Sequence, residues 1–328
     1  RVDVVKKLED IIIGLDPNSK GLKFEKLLLN ESVQTEGNAQ SKFLNKYNAS
    51  SFIENNNKKG KTEFSQQVIK EIKKEYKDDT YLFRLISRDD KKFLRGICGE
   101  NSYLKFDNKL SLFIFFMIVE EIIEMSGENW LITDYNYSHS SMALECFQEN
   151  FKQIIVNEKR YEVRYGMVLR NNEIGDGTYS VEFKYELKHN SEIISGVTEE
   201  LIRKKHTGRF ENALESFSFG KVYSEFLKKQ DVMNEFFTKM FELEEKYQSA
   251  LLVDLVNVLT RSKLKDTPKE INQDLKVYKK EIYKTNEFRL MKELSNLLKI
   301  PKKYGLEEKL LFEETIYKCI LKLIKERE

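Results

Sequence analysis

The stretch that most constrains the chain is 178–187, where Tyr179, Val181, Phe183, Tyr185 and Leu187 alternate with Ser180, Glu182, Lys184 and Glu186. Strict period two sends alternate side chains to opposite faces of a strand, so this run predicts one buried face and one wet face. YEVRYGMVLR at 161–170 reads as the preceding strand, and NNEIGDG at 171–177 as the turn between them. Asn171, Asn172, Gly175 and Gly177 tolerate positive φ, which a hairpin connection needs.

Around this hairpin the text alternates between helix and strand. Phe64, Val68, Ile72 and Tyr76 share one face of a helix over 62–76. YLFRLIS (81–87) and KFLRGIC (92–98) read as strands, 108–125 as a helix, and WLITDY (130–135) as a further strand. From about 197 the pattern turns helical. Val222, Phe226, Met233, Phe237, Met240 and Leu243 form one apolar stripe. Thr267-Pro268-Lys269-Glu270 reads as a capping box, and Pro301 with Gly305 as a break before a last helix at 306–327. At the other end, Val5, Leu8, Ile11 and Ile12 stand at helical spacing within 2–13. Residues 15–62 are rich in Asn, Ser, Gln, Lys and Gly, and read as a long, mobile surface segment with a short helix at most. The fold class expected is α+β: a small antiparallel sheet with flanking helices, then a mainly helical C-terminal half. The division expected is 1–61, an N-terminal helix and polar segment; 62–196, the α+β core; and 197–328, the helical region.

Composition narrows the function less than the fold. Of 328 residues, 40% are hydrophobic and 34% charged, which supports a sizeable core and excludes global disorder. Lys+Arg number 56 and Asp+Glu 54, so no overall charge excess points to a polyanionic partner. Cys98, Cys146 and Cys319 offer no CxxC pair and no disulfide framework, which suits a reducing cytoplasm. The longest apolar run, Leu110–Val119, is far short of the ~20 residues a bilayer span needs, and reads as a helix buried in the core. No signal-peptide core follows the charged start.

Chemistry-bearing candidates are few. Arg203, Lys204, Lys205, His206 and Arg209, with Gly208 to bend the backbone, form a dense cationic turn suited to phosphate. Arg84, Arg88, Lys91, Lys92 and Arg95 form a second cluster on the 81–98 hairpin. If the two converge, they frame a groove lined by Tyr81, Tyr103 and Phe106, in which bases stack and phosphates pair. Lys276, Lys279, Lys280 and Lys284 lie on one side of a later helix as a further contact. The alternative is catalytic: Asp176, Glu182 and Lys184 as a degenerate D…ExK site. There the carboxylates would hold Mg²⁺ and the lysine would orient the attacking water. Asp134, His139 and Cys146 lie close in sequence, but no nucleophile signature flanks Cys146, and a buried structural thiol is the simpler reading.

One resemblance adds context. Leu169-Arg170-Asn171-Asn172-Glu173-Ile174-Gly175-Asp176-Gly177, the strand after it, and Lys205-His206-Thr207-Gly208-Arg209 follow a familiar order. Upstream, Leu94-Arg95-Gly96-Ile97 and 103–108 (YLKFDN) join the same pattern. Across roughly 80–225 the chain resembles the phage/plasmid-like proteins of domain of unknown function family 932. It departs from them in having Asn172 where serine is usual, and in lacking the cysteine after the second strand, where Lys188-His189-Asn190 stands. The resemblance implies a phage, plasmid or other mobile-element setting and no particular reaction. The expectation is therefore a cytoplasmic, non-catalytic nucleic-acid-binding accessory protein, acting in replication, recombination or host conflict. It would need no cofactor, with Mg²⁺ entering only under the nuclease alternative. A second alternative is a helical protein-interaction or assembly module, with a homo-oligomer or protein partner engaged through the C-terminal helices.

Overall fold

The structure is a computed structural model and describes residues 2–16, 21–28, 31–35, 39–88, 91–99, 107–137, 141–172, 178–205, 218–247, 249–261, 269–282 and 289–327. Two sheets carry the fold. The first takes β1 (Val2–Lys7), β2 (Ile12–Leu15), β3 (Leu22–Leu28), β4 (Glu31–Thr35), β5 (Thr80–Arg88) and β6 (Lys91–Gly99), in the order β1-β5-β6-β4-β3-β2. Its neighbours are antiparallel except β4 and β6, which run parallel. Helices α1 (Ala39–Lys46), α2 (Ser50–Lys58) and α3 (Thr62–Glu75) cover it. Phe24, Phe43, Ile53, Ile69, Phe83 and Leu94 make its core.

The N-terminal expectation is corrected here. Residues 2–13 are not a helix but β1, a 3-10 turn at Leu8–Asp10, and the start of β2. Val4 of β1 pairs opposite Phe83 of β5. The valines at 2, 4 and 5 suit a pleated surface, and the apparent helical spacing came from a strand, a turn and a strand in succession. The polar stretch 15–62 holds β3, β4, α1 and α2, whose apolar members Leu22, Phe24, Val33, Phe43 and Leu44 are buried. They are sparse in the sequence, but each fills the same core.

Helix α4 (Asn108–Ser126) opens the second half. Asp107 caps it by accepting from the Leu110 N–H at 3.0 Å, and Gly127, at φ +69°, ends it in the left-handed region. The second sheet follows: β7 (Trp130–Tyr137), β8 (Ser141–Gln148), β9 (Lys152–Val156), β10 (Lys159–Asn172), β11 (Thr178–His189) and β12 (Glu192–Lys205). Its order is β12-β11-β10-β8-β7, with β9 on the first half of β10, and every pairing is antiparallel. Helices α5 (Phe219–Tyr247), α6 (Ser249–Arg261), α7 (Lys269–Ile282), α8 (Leu290–Lys302) and α9 (Leu306–Arg327) complete the chain. The α+β class with a helical C-terminal half is therefore the architecture. One apolar cluster spans Leu8–Leu94 and another Ile114–Ile324. Strands β1 to β4 share the first sheet with β5 and β6, and β12 carries the second sheet to Lys205 before the helices begin. The capping residues Thr267 and Pro268 lie outside the described residues.

The predicted wet face of 178–187 is corrected as well. Residues 179–185 are buried on both faces. Tyr179, Val181, Phe183, Tyr185 and Leu187 enter the large core with Phe226 and Phe237 of α5. The opposite face is covered by α9, whose Leu306 and Leu310 pack on Ala143, Val168 and Val197. Among the described residues no helix is long and apolar enough to cross a membrane.

Candidate nucleic-acid interface

The end of β12 and the first turns of α5 are drawn together by their apolar residues. Val222 and Phe226 are buried, and Leu201, Ile202 and Tyr223 pack partly against the same core. A helix that lays its apolar stripe down turns its charged face outward. Here that leaves a cleft of about 550 Å³ with Leu201, Ile202 and Val222 in its lining and Arg203, Lys204, Lys221 and Lys228 around them. Glu225 also lines it and holds Lys228 at 2.6 Å, while Glu200 receives the Arg203 guanidinium at 3.0 Å. Both pairs are open to water, with Arg203 and Lys228 side chains 57% and 65% exposed. Exposed pairs are worth about 0–1 kcal/mol, so a phosphate can replace the carboxylates at little cost. Lys205 ends β12; His206 and Arg209 lie outside the described residues.

A second opening, about 470 Å³, has the opposite sign. Glu182, Glu200, Glu307, Glu308 and Glu314 line it, with Arg170 as its cation. Glu307 and Glu308 sit in the first turn of α9, where the helix dipole favours negative charge.

The hairpin cluster divides. Arg84 is 4% exposed and lies 3.4 Å from Asp3, and Arg95 is 2% exposed. Neither can meet a phosphate from solvent, which corrects their assignment to an exposed patch: they stand inside strands whose neighbours cover them. Arg88 and Lys91 are exposed and Lys92 half-exposed, and Arg88 lies over the Phe93 ring at 5.7 Å. Tyr81, expected to line the groove, is buried and donates to Asp79 at 2.9 Å. Tyr103 and Phe106 lie outside the described residues. On α7, Lys276 and Lys280 are exposed, Lys279 donates to Asn257 at 2.5 Å, and Lys284 lies outside them.

The D…ExK arrangement does not present itself to a substrate. Lys184 is wholly buried, its ammonium bonded to Glu145 and 2.6 Å from Glu313. Burial alone would lower its pKa, but those two carboxylates outweigh it and raise it. Lys309 adds a second cation 3.1 Å from Glu145, and Thr133 donates to the same carboxylate at 2.7 Å. Burial would push Glu145 up, yet Lys184 and Lys309 hold it down to about 2. Lys184 is thus consumed in holding α9 to the sheet and has no access to water. Glu182 accepts from Ser180 at 3.0 Å and faces Arg170 at 3.1 Å, with burial pushing its carboxyl up. Asp176 lies outside the described residues, where among the rest no three His, Cys, Asp or Glu side chains group to hold a metal ion.

The expected turn residues also move. Asn171 and Asn172 belong to β10, and buried Asn171 donates to Asn108 at 2.8 Å, tying the strand to the first residue of α4. Gly175 and Gly177 lie outside the described residues, as does His139. Cys146 is buried, and burial pushes its thiol up to about 12, which leaves it unreactive.

Sequence reasoning missed Lys221 and Lys228, because the α5 pattern announced an apolar stripe and only the packing shows which charges line the cleft. Glu145 carried a faint signal as a lone acid in the apolar run MALECF. Its partners stand far along the chain, at Lys184, Lys309 and Glu313. Comparison with protein-family models, curated proteins and solved structures gives no match, so the likeness to the phage and plasmid family rests on the quoted residues alone.

Proposed function

We propose that this is a non-catalytic nucleic-acid-binding protein whose phosphate contacts lie in the cleft between β12 and α5. The observation that carries the reading is the gathering of Arg203, Lys204, Lys221 and Lys228 from two separate elements around one opening. These cations neutralise backbone phosphates and release counterions, giving affinity with little regard to base sequence. The family resemblance adds a mobile-element setting to the proposal, and the cysteine usage a reducing cytoplasm.

The test is fluorescence anisotropy of labelled single-stranded and duplex oligonucleotides over a salt series. The expected result is binding at low salt that weakens linearly in log–log form, by about 0.9 in slope for each duplex phosphate engaged. Lys204→Ala with Lys221→Ala should lower the slope by about 2 if each lysine meets one phosphate. An absence of binding at low salt, for DNA and RNA alike, would end the proposal.

A further inference from the structure

The most apolar helix of the chain is not enclosed. On α4, Ile114, Phe115, Ile118, Val119 and Ile122 are buried, while Phe113, Phe116 and Met117 are 63%, 42% and 38% exposed. A helix apolar on all sides is ordinarily covered on all sides, and exposed apolar patches mark contact surfaces. Apart from Met125, which is 52% exposed and lies off to one side, the exposed residues form a single stripe. Lys109, Phe113, Phe116, Met117, Glu120 and Glu124 fall within ~100° of the helix circumference at 3.6 residues per turn. Along the stripe the cation stands at one end, the apolar side chains in the middle, and the acids at the other end. Lys109, Glu120 and Glu124 have no ion-pair partner among the described residues.

We infer that α4 pairs with α4 of a second copy of this chain, antiparallel about a two-fold axis between Phe116 and Met117. That register sets Lys109 against Glu124 of the second copy, with Glu120 one turn away, and places Phe116 on Met117 at the centre. A parallel pair would oppose lysine to lysine and glutamate to glutamate, so the charge order selects the antiparallel one. The contact runs ~22 Å along the helix at 1.5 Å per residue. It covers less than the ~800 Å² per partner of a standard stable interface, so the dimer dissociates on dilution. The helices α5–α9 leave less to offer: Leu275, Leu294, Leu297, Phe312, Ile316 and Ile320 are already spent in the core.

Sedimentation velocity of the full chain over a concentration series tests this. The expected result is a monomer–dimer equilibrium that weakens about tenfold or more in Lys109→Glu and in Phe116→Lys. The double variant Lys109→Glu, Glu124→Lys should recover wild-type association, because a two-fold interface re-forms the same pair with signs exchanged. All three positions are exposed, and an unchanged far-ultraviolet circular dichroism melt confirms folding. A chain that stays monomeric at every concentration overturns the inference. So does a dimer indifferent to these changes, or one that the double variant fails to restore.

Discussion

On one face of the second sheet, Phe183 meets Phe226 at 5.2 Å between ring centroids, and Tyr185 meets Phe237 edge-on at 5.2 Å. On the other face, Lys184 meets Glu145 and Glu313, Arg170 meets Glu182 and Glu314, and Arg164 meets Glu186 at 2.7 Å. Both faces are buried, but they hold their helices differently. Apolar burial is non-directional and scales with area, so α5 could slide on its face without losing everything at once. The ionic face is directional: Glu313 and Glu314 have partners at only one position of α9 along the strands. The same alternation in sequence therefore encodes adhesion on one side and register on the other.

Single and grouped substitutions break or sharpen this contrast. Lys184→Ala and Phe183→Ala should each destabilise by about 3–5 kcal/mol in chemical denaturation, one by stranding buried carboxylates and the other by opening a cavity. The two then part company. Replacing Lys184, Lys309, Glu145 and Glu313 together with Met and Leu should cost far less than Lys184→Ala alone, because no charge of the set remains unpaired. No grouping of that kind rescues Phe183→Ala. Additive losses across the ionic set would erase the distinction.

Acid acts on the ionic face next. Glu145 is held at about 2 against an ordinary value of 4.5, so its ionised form stabilises the fold fully above about pH 4.5. That contribution, on the order of 3 kcal/mol, is lost as the pH falls towards 2, and Glu145→Gln should flatten the acid limb of a stability–pH curve.

A smaller loss is expected of Gly166→Ala in β10. A Cβ there would run into the Cys146 carbonyl oxygen of the paired strand β8 and stand 2.5 Å from Phe147 Cδ1, whose ring lies 5.6 Å below the Lys184 ammonium. Crowding of this kind costs about 1–3 kcal/mol, and melting temperature reads it. The smallest effect belongs to the cleft: Arg203→Ala should change stability by less than about 0.5 kcal/mol while lowering the salt slope of nucleic-acid binding.

How much of this was legible follows the same contrast. The apolar stripe of α5, the helix α3 and the strands β5, β6, β10 and β11 could be read, because period alone defines them. The charges of β11 could not be placed: Glu182, Lys184 and Glu186 look the same whether water or α9 lies above them. β12 was overlooked because the chain from about 197 reads as helical and Arg203, Lys204 and Lys205 as the start of a cationic turn. Only the pairing of this fourteen-residue stretch with β11 identifies it as a strand. The basic residues at 203–204 were visible in the sequence, but not that Lys221 and Lys228 face them, nor that Arg84 and Arg95 are enclosed.

Hydrogen–deuterium exchange of the full chain, with and without a short oligonucleotide at low salt, locates the contact directly. The expected result is slowed exchange in the last residues of β12 and the first turns of α5, around Arg203, Lys204, Lys221 and Lys228. Slowed exchange confined to the β5–β6 hairpin, or to the acidic opening beside Arg170, would contradict it.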